Sequence, residues 1–323
     1  MDQFYETVLN ASLCMTRQCW EQGMLSYALM LQNEDQEIRK KQDLLVYDMV
    51  LRQSPDGRLC NVENTPAVTD SAFCIPAVLE TGLRTRNEKY IHAANQNAEY
   101  LLHEAERTED GILYHIKGET QIWADSAAFL PYSLAMTGHP EEGLRELTGI
   151  MDRLYLPETG LYAHIWDEQT RSFPDMRAWG VGNGWILTGM LRMLCALSHP
   201  EVSEKMITER DSLQNRFREL LERMLSCMTE TGGFYDVLDD ADTFEETETA
   251  AMTASAIYKG VQAGLLGADY LGIADKICHN VRKHVNREGL VLGASSSPSF
   301  DCPGTSVECQ AHTMMMETLK KQI

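Results

Sequence analysis

Apolar residues recur at helical spacing along most of the chain. Within 97–108, Ala98, Leu101, Leu102 and Ala105 form one stripe, and within 211–229 Leu213, Phe217, Leu220, Leu221, Met224 and Leu225 form another. Both patterns predict amphipathic helices. A third helix is expected over 186–197, and Glu246-Thr-Glu-Thr-Ala-Ala-Met252 reads as a helix start, with acidic residues favouring its dipole. Alternating β-branched runs are scarce, so strand content should be small.

A punctuation recurs between the helical stretches: SPDGRLCNV, TEDGILYHI, PETGLYAHI, ETGGFYDVL and NREGLVLGA. Each has a turn, a glycine and a short β-like run. Gly57, Gly111, Gly160, Gly233 and Gly289 lie 54, 49, 73 and 56 residues apart, close to one helical hairpin with its loops. Hairpins at this period stack as an open solenoid or close on themselves. Six of about 50 residues use most of the chain and leave little for capping repeats. Closure is therefore expected: an all-α (α/α)6 toroid, one domain over 1–323, with short β-like segments and the glycine turns at one end.

Two repeats agree in more than punctuation. Asp70-Ser71-Ala72-Phe73-Cys74-Ile75-Pro76 aligns with Asp125-Ser126-Ala127-Ala128-Phe129-Leu130-Pro131, and Thr81-Gly82 and Thr137-Gly138 follow. Either aspartate alone reads as a helix N-cap, with its proline near the helix start. Two in equivalent positions also read as paired carboxylates suited to acid/base chemistry on a sugar.

Composition narrows the partners. The chain has 28 basic and 48 acidic residues, a net charge of −20. Nucleic acid and anionic membrane surfaces are thereby excluded, while a small acidic ligand needs a local cation. No apolar run reaches the roughly 18 residues of a membrane span. The N-terminus has no secretory pattern, and nine scattered cysteines without a CxxC pair read as reduced thiols. A cytoplasmic protein is expected. Cys302, Cys309 and His312 match no tight zinc spacing, and no metal, nucleotide or flavin is called for.

Candidate chemistry gathers in the middle of the chain. Four of the five tryptophans fall between residues 123 and 185, beside His115, Lys117, Asp125, His164, Arg177 and Asn183. Aromatic faces stack on sugar rings, whereas a helix built for packing alone favours Leu or Ile. The run Gly180-Val181-Gly182-Asn183-Gly184-Trp185 lacks phosphate-loop spacing; its glycines are expected to bring backbone close to a cavity. There is no GxSxG motif and no Cys/His pairing for nucleophilic catalysis.

Together WADSAAFLP, GLYAHIWDE, RAWGVGNGW and ETETAAM resemble the unsaturated glucuronyl and rhamnogalacturonyl hydrolases, glycoside hydrolase families 88 and 105, from about Tyr47 to Met316. The resemblance implies an (α/α)6 barrel and a glycosidase without cofactor. Its substrate would be a lyase-generated oligosaccharide ending in a Δ4,5-unsaturated uronic acid, as in pectin degradation. It implies hydration of the C4=C5 bond, with Asp125 as general acid and base and Asp70 as the second aspartate. His115, His164 and Trp179 match family residues near the sugar; Trp123, Asn183, Trp185, Arg177 and Tyr47 complete the expected substrate-binding set. Many relatives carry arginine before Gly-Asn-Gly to hold the uronate carboxylate, but this chain has Val181, leaving Arg177 or Lys117 as the candidate cation. Two other readings use the same residues: an inverting glycosidase acting on a saturated sugar through Asp70 and Asp125, and a non-catalytic carbohydrate-binding protein.

Overall fold

The computed structural model describes residues 2–32, 35–61, 66–198, 206–296 and 299–323. Among these residues the helices are α1 (Gln3–Met15), α2 (Cys19–Leu31), α3 (Gln36–Leu51), α4 (Ile75–Thr85), α5 (Glu88–Glu99) and α6 (Ser126–Met136). They continue with α7 (Pro140–Leu154), α8 (Gly180–Ala196), α9 (Ile207–Ser226), α10 (Thr247–Gln262), α11 (Leu271–Lys283) and α12 (Val307–Lys321). Strands are short, two to six residues. None of the described helices is long and apolar enough to cross a membrane.

The chain divides into two compact units. One, here the Asp125 unit, comprises Thr16–Arg153 and Ile165–Pro174; the other, the Trp179 unit, comprises Met1–Met15, Leu154–His164 and Asp175–Ile323. In the Asp125 unit, α2 packs on the 3-10 turn Asp70–Cys74, that turn packs on α6, and α4 packs on α5. Its core joins Val46, Met49, Leu59, Val68, Ile75 and Val78 to Ala94, Leu101, Leu130 and Leu134. In the Trp179 unit, α10 is the central helix, packed on α8, α11 and α12, with α1 against α12. Every residue from Thr247 to Tyr258 is buried, so this helix has no solvent face to pattern.

The predicted stripes are present with shifted ends. The expected helix at 211–229 is α9, which buries Leu213, Phe217, Leu220, Leu221 and Met224. The stripe at 97–108 is the end of α5, which passes into a π turn at Tyr100–Glu104. The Arg107 guanidinium donates to the carbonyls of Leu101 and Leu102, satisfying the acceptors that a helix end leaves open. The glycine run Gly180–Gly184 lies inside α8 rather than before it. A Cβ at Gly184 would meet the Met252 sulfur, so this glycine permits close packing of α8 on α10. The two Pro motifs also differ: Pro76 lies in the first turn of α4, whereas Pro131 is interior to α6.

The punctuation proves to be one turn used repeatedly. Ser54, Thr108, Thr229 and Asn286 each donate N–H to the carbonyl four residues on and accept from the glycine three residues on. Those glycines, Gly57, Gly111, Gly232 and Gly289, all have φ near +90°, a conformation costly for any residue with a Cβ. The turn glycine of ETGGF is therefore Gly232, not the expected Gly233. In PETGL the first position is Pro157, which has no N–H to give, and the turn widens so that Gly160 N–H bonds to Leu156 O at 2.9 Å.

Each turn is pinned by the residue two positions after its glycine in four of the five cases. Leu59 N–H donates to Asn97 (2.7 Å), Leu113 to Glu146 (3.1 Å), Tyr162 to Asn183 (2.9 Å) and Val291 to Gln310 (2.5 Å). All four acceptors are buried polar side chains on helices. A loop amide taken from water is thus satisfied by a helix, which fixes where the following segment begins.

Candidate active site

In the Asp125 unit the site begins with the loop before α6. His115 accepts a backbone bond at its carbonyl from Val68 N–H (2.8 Å), and its own N–H donates to Gln121 O (2.8 Å). Strand Gln121–Trp123 then pairs antiparallel with Ile165–Asp167 and delivers the chain to Asp125. The His115 ring is buried. Its Nδ1 lies 2.8 Å from Thr69 Oγ1 and 3.0 Å from Ser126 Oγ, and these two hydroxyls are 3.1 Å apart. Thr69 immediately precedes Asp70, and Ser126 immediately follows Asp125. One imidazole therefore ties together the chain segments that carry both aspartates.

The other ring nitrogen, Nε2, stands 3.8 Å from Asp70 Oδ1, and the Asp70 side chain is 13% exposed. Trp123 stacks on the His115 ring at 4.6 Å and 16°, so one indole face is taken by the histidine. Asp125 occupies the N-cap position of α6, yet its side chain makes no capping hydrogen bond. The carboxylate has therefore not been used up in holding the helix start, the alternative its position suggested.

The Trp179 unit holds a second constellation. Asp175 accepts from His164 Nδ1 (3.0 Å) and from Arg177 through Nε (2.9 Å) and Nη2 (2.7 Å). Burial pushes the Asp175 carboxyl up, but the bonds from His164 and Arg177 outweigh it and hold the group well below the usual carboxylate range. The pairing fixes the imidazole orientation. It also means that Arg177, the expected cation for a uronate, already shares its charge with a carboxylate. Val181 is buried in the first turn of α8, and the Lys117 side chain is exposed in the other unit.

Trp179 is buried, with Nε1 donating to Ser295 Oγ at 2.8 Å and its ring against His164 (4.5 Å) and Phe300 (5.3 Å). Close by, Asp236 is 2% exposed. Burial raises its pKa, against the opposing pull of Ser295, Trp179 and Arg177. A cavity of about 430 Å³ in this unit is lined by Arg177, Asp236, Asp240, Asp242 and Asp301.

The structure thus brings Asp70, His115, Trp123 and Asp125 together in one unit and His164, Arg177 and Trp179 in the other. Asn183 is engaged otherwise: besides accepting from Tyr162 N–H, its amide donates to Tyr162 O and Trp179 O, both at 2.9 Å. Trp185 is buried against His312, ring centres 5.2 Å apart. Tyr47 is 55% exposed on α3, with Tyr90 among its electrostatic neighbours. Thr69, Ser126, Asp175, Asp236, Ser295 and Phe300 were not legible as site neighbours. Thr69, Ser126 and Asp175 carried a local signal, lying beside Asp70, beside Asp125 and two residues before Arg177.

The sequence profile of Glycosyl Hydrolase Family 88 matches residues 3–303. The chain belongs to that family. This family 88 member is 30% identical over 188 residues to the unsaturated rhamnogalacturonyl hydrolase YesR of Bacillus subtilis (strain 168), covering 54% of the chain and 52% of YesR. The chain thus spans about half the length of that curated relative. A possible member of the GH105 family from Salmonella enterica superposes with a TM-score of 0.85 at 21% identity, over 99% of this chain and 93% of that one. The unsaturated glucuronyl hydrolase of Bacillus sp. GL1, responsible for degradation of glycosaminoglycan, superposes with a TM-score of 0.71 at 15% identity, over 94% and 86%. The all-α six-hairpin fold expected from the sequence is the fold this family 88 member shares with them.

Proposed function

We propose that this glycoside hydrolase releases a terminal Δ4,5-unsaturated uronic acid from lyase-generated oligosaccharides by hydrating the C4=C5 bond. The observation that carries this reading is the His115 network, which holds the segments bearing Asp70 and Asp125 in register on one packed unit. In the proposed reaction Asp125 gives a proton to C4, and its carboxylate then takes one from the water that adds at C5. The hemiketal so formed opens and releases the sugar as a keto acid. Asp70 keeps the proton balance of the pair, and Trp123 of the same unit contributes a sugar contact. The activities named for YesR and for the glucuronyl hydrolase support the same class.

The finer substrate assignment follows from charge. The net charge of −20 opposes a sulfate in addition to the uronate carboxylate. The unit next to the uronate is therefore proposed to be neutral, as in pectin-derived disaccharides. An ultraviolet depletion assay on unsaturated disaccharides from pectin and sulfated glycosaminoglycan lyases tests both parts. Absorbance should fall with the neutral-linked substrate and persist with the sulfated one. Cleavage of a saturated counterpart at equal rate, without a double bond to lose, would instead favour an ordinary glycosidase, and an inverted anomeric product would mark it as inverting.

A further inference from the structure

We propose that the cleft between the Tyr155–Tyr162 hairpin and α9 is a second saccharide site, taking a sugar unit that carries an anionic group. The proposal goes beyond the catalytic reading, since it needs no double bond and no turnover.

The cleft has a volume of about 370 Å³, within the roughly 300–1,000 Å³ of small-ligand sites. One wall is aromatic. Tyr155 is 43% exposed, and its ring lies 5.5 Å from that of the buried Tyr162. An exposed phenol ring anchored by a second one offers a flat face for the C–H side of a pyranose. The opposite wall is α9, where Arg216, Leu220 and Arg223 recur at helical spacing along the cleft.

Arg223 is held in place rather than waving in solvent. Its Nε donates to Thr159 O at 2.6 Å and its Nη1 to Ser226 Oγ at 2.8 Å. Both acceptors are neutral, so these bonds orient the guanidinium without cancelling its charge. A pre-set fork of this kind suits a carboxylate or a sulfate. Arg223 thus gives the cleft a fixed positive charge, and Arg216 and Glu219 also line it. That sign is opposite to the chain's net −20 and to the aspartate-lined cavity beside Arg177. An acidic oligosaccharide repelled over most of this surface meets attraction here.

Calorimetric titration of the whole protein at low salt tests the inference with three probes: saturated trigalacturonate, a saturated sulfated disaccharide and uncharged maltotriose. At least one anionic probe should bind, weaken as salt is added, and lose about tenfold or more in affinity in Tyr155→Ala and Arg223→Gln, about 1.4 kcal/mol. Which anionic probe does so identifies carboxylate or sulfate as the recognised group. Turnover of a short unsaturated disaccharide should be the same in both variants as in the parent. Equal binding of maltotriose, binding indifferent to Tyr155→Ala, or no anionic binding overturns the proposal. Tyr155→Ala is the deciding variant because its exposed ring is not part of the core. Activity that fails while this binding persists would reject the catalytic reading alone.

Discussion

Asp125→Asn should lower turnover of an unsaturated disaccharide at least about a hundredfold, the lower end of what a positioned general acid and base contributes. Asparagine keeps the shape of the side chain but can neither give the proton to C4 nor take one from water. The substitution should leave the start of α6 intact, because Asp125 makes no capping bond that the helix would lose. The check is the rate of ultraviolet depletion beside the melting temperature. An unchanged melting point with more than roughly a tenth of the parent rate would remove Asp125 from the acid/base role. Asp70→Asn belongs in the same assay, since the aspartate stands 3.8 Å from the imidazole that ties the two segments together.

Glu146→Gln should make the protein more stable above neutral pH, and the reason is its place in the repeated turn. The three other pins are Asn97, Asn183 and Gln310, all amides. Glu146 is the ionisable member of the set. Burial pushes its pKa from 4.5 to about 7, opposed by the bond from Leu113 N–H and by the charges of Arg107, Arg145 and Arg153. A carboxyl whose folded pKa is raised contributes stability below the unfolded value and loses it as pH climbs through the folded one. Stability from this group is therefore complete below about pH 4.5 and lost by about pH 7. The rise from 4.5 to about 7 corresponds to about 3 kcal/mol. Glutamine keeps an acceptor for Leu113 and has no proton to lose. Urea unfolding at pH 5 and pH 8 should show a smaller difference between the two pH values in the variant than in the parent. Part of the difference should remain, because the buried Glu246 carboxyl is also raised, to about 7. An identical pH dependence in both proteins would contradict the assignment.

The helix α9 was legible because its apolar spacing is long and regular, and the turns because glycine at φ near +90° leaves a mark in the sequence. Register was harder. In ETGGF two glycines compete, and the hydrogen-bond pattern selects Gly232. The paired aspartates were legible from the Asp-Ser-Ala repeat, but not what holds them together. Thr69 and Ser126 meet through His115, 46 and 11 residues away in sequence from the ring. Asn183 shows the opposite failure. An asparagine in a glycine-rich run near a tryptophan reads as a sugar ligand, whereas its amide is committed to three backbone partners. Arg177 likewise reads as a spare cation until Asp175, on the strand before it, is seen to accept two of its N–H groups. In each case residue type was readable and side-chain direction was not, because direction is set by packing between distant segments.

The pinned turns bear on the order in which the backbone opens. Loop amides ordinarily exchange their hydrogens quickly, since little shields them. Leu59, Leu113, Tyr162 and Val291 sit in segments that look like loops, yet each amide is buried against a side chain rooted in a helix. Their exchange in deuterated water should be slow, on the scale of the helices that hold them rather than of the turns beside them. Four protected amides at matching points of the repeat would show loops that open only when a helix does.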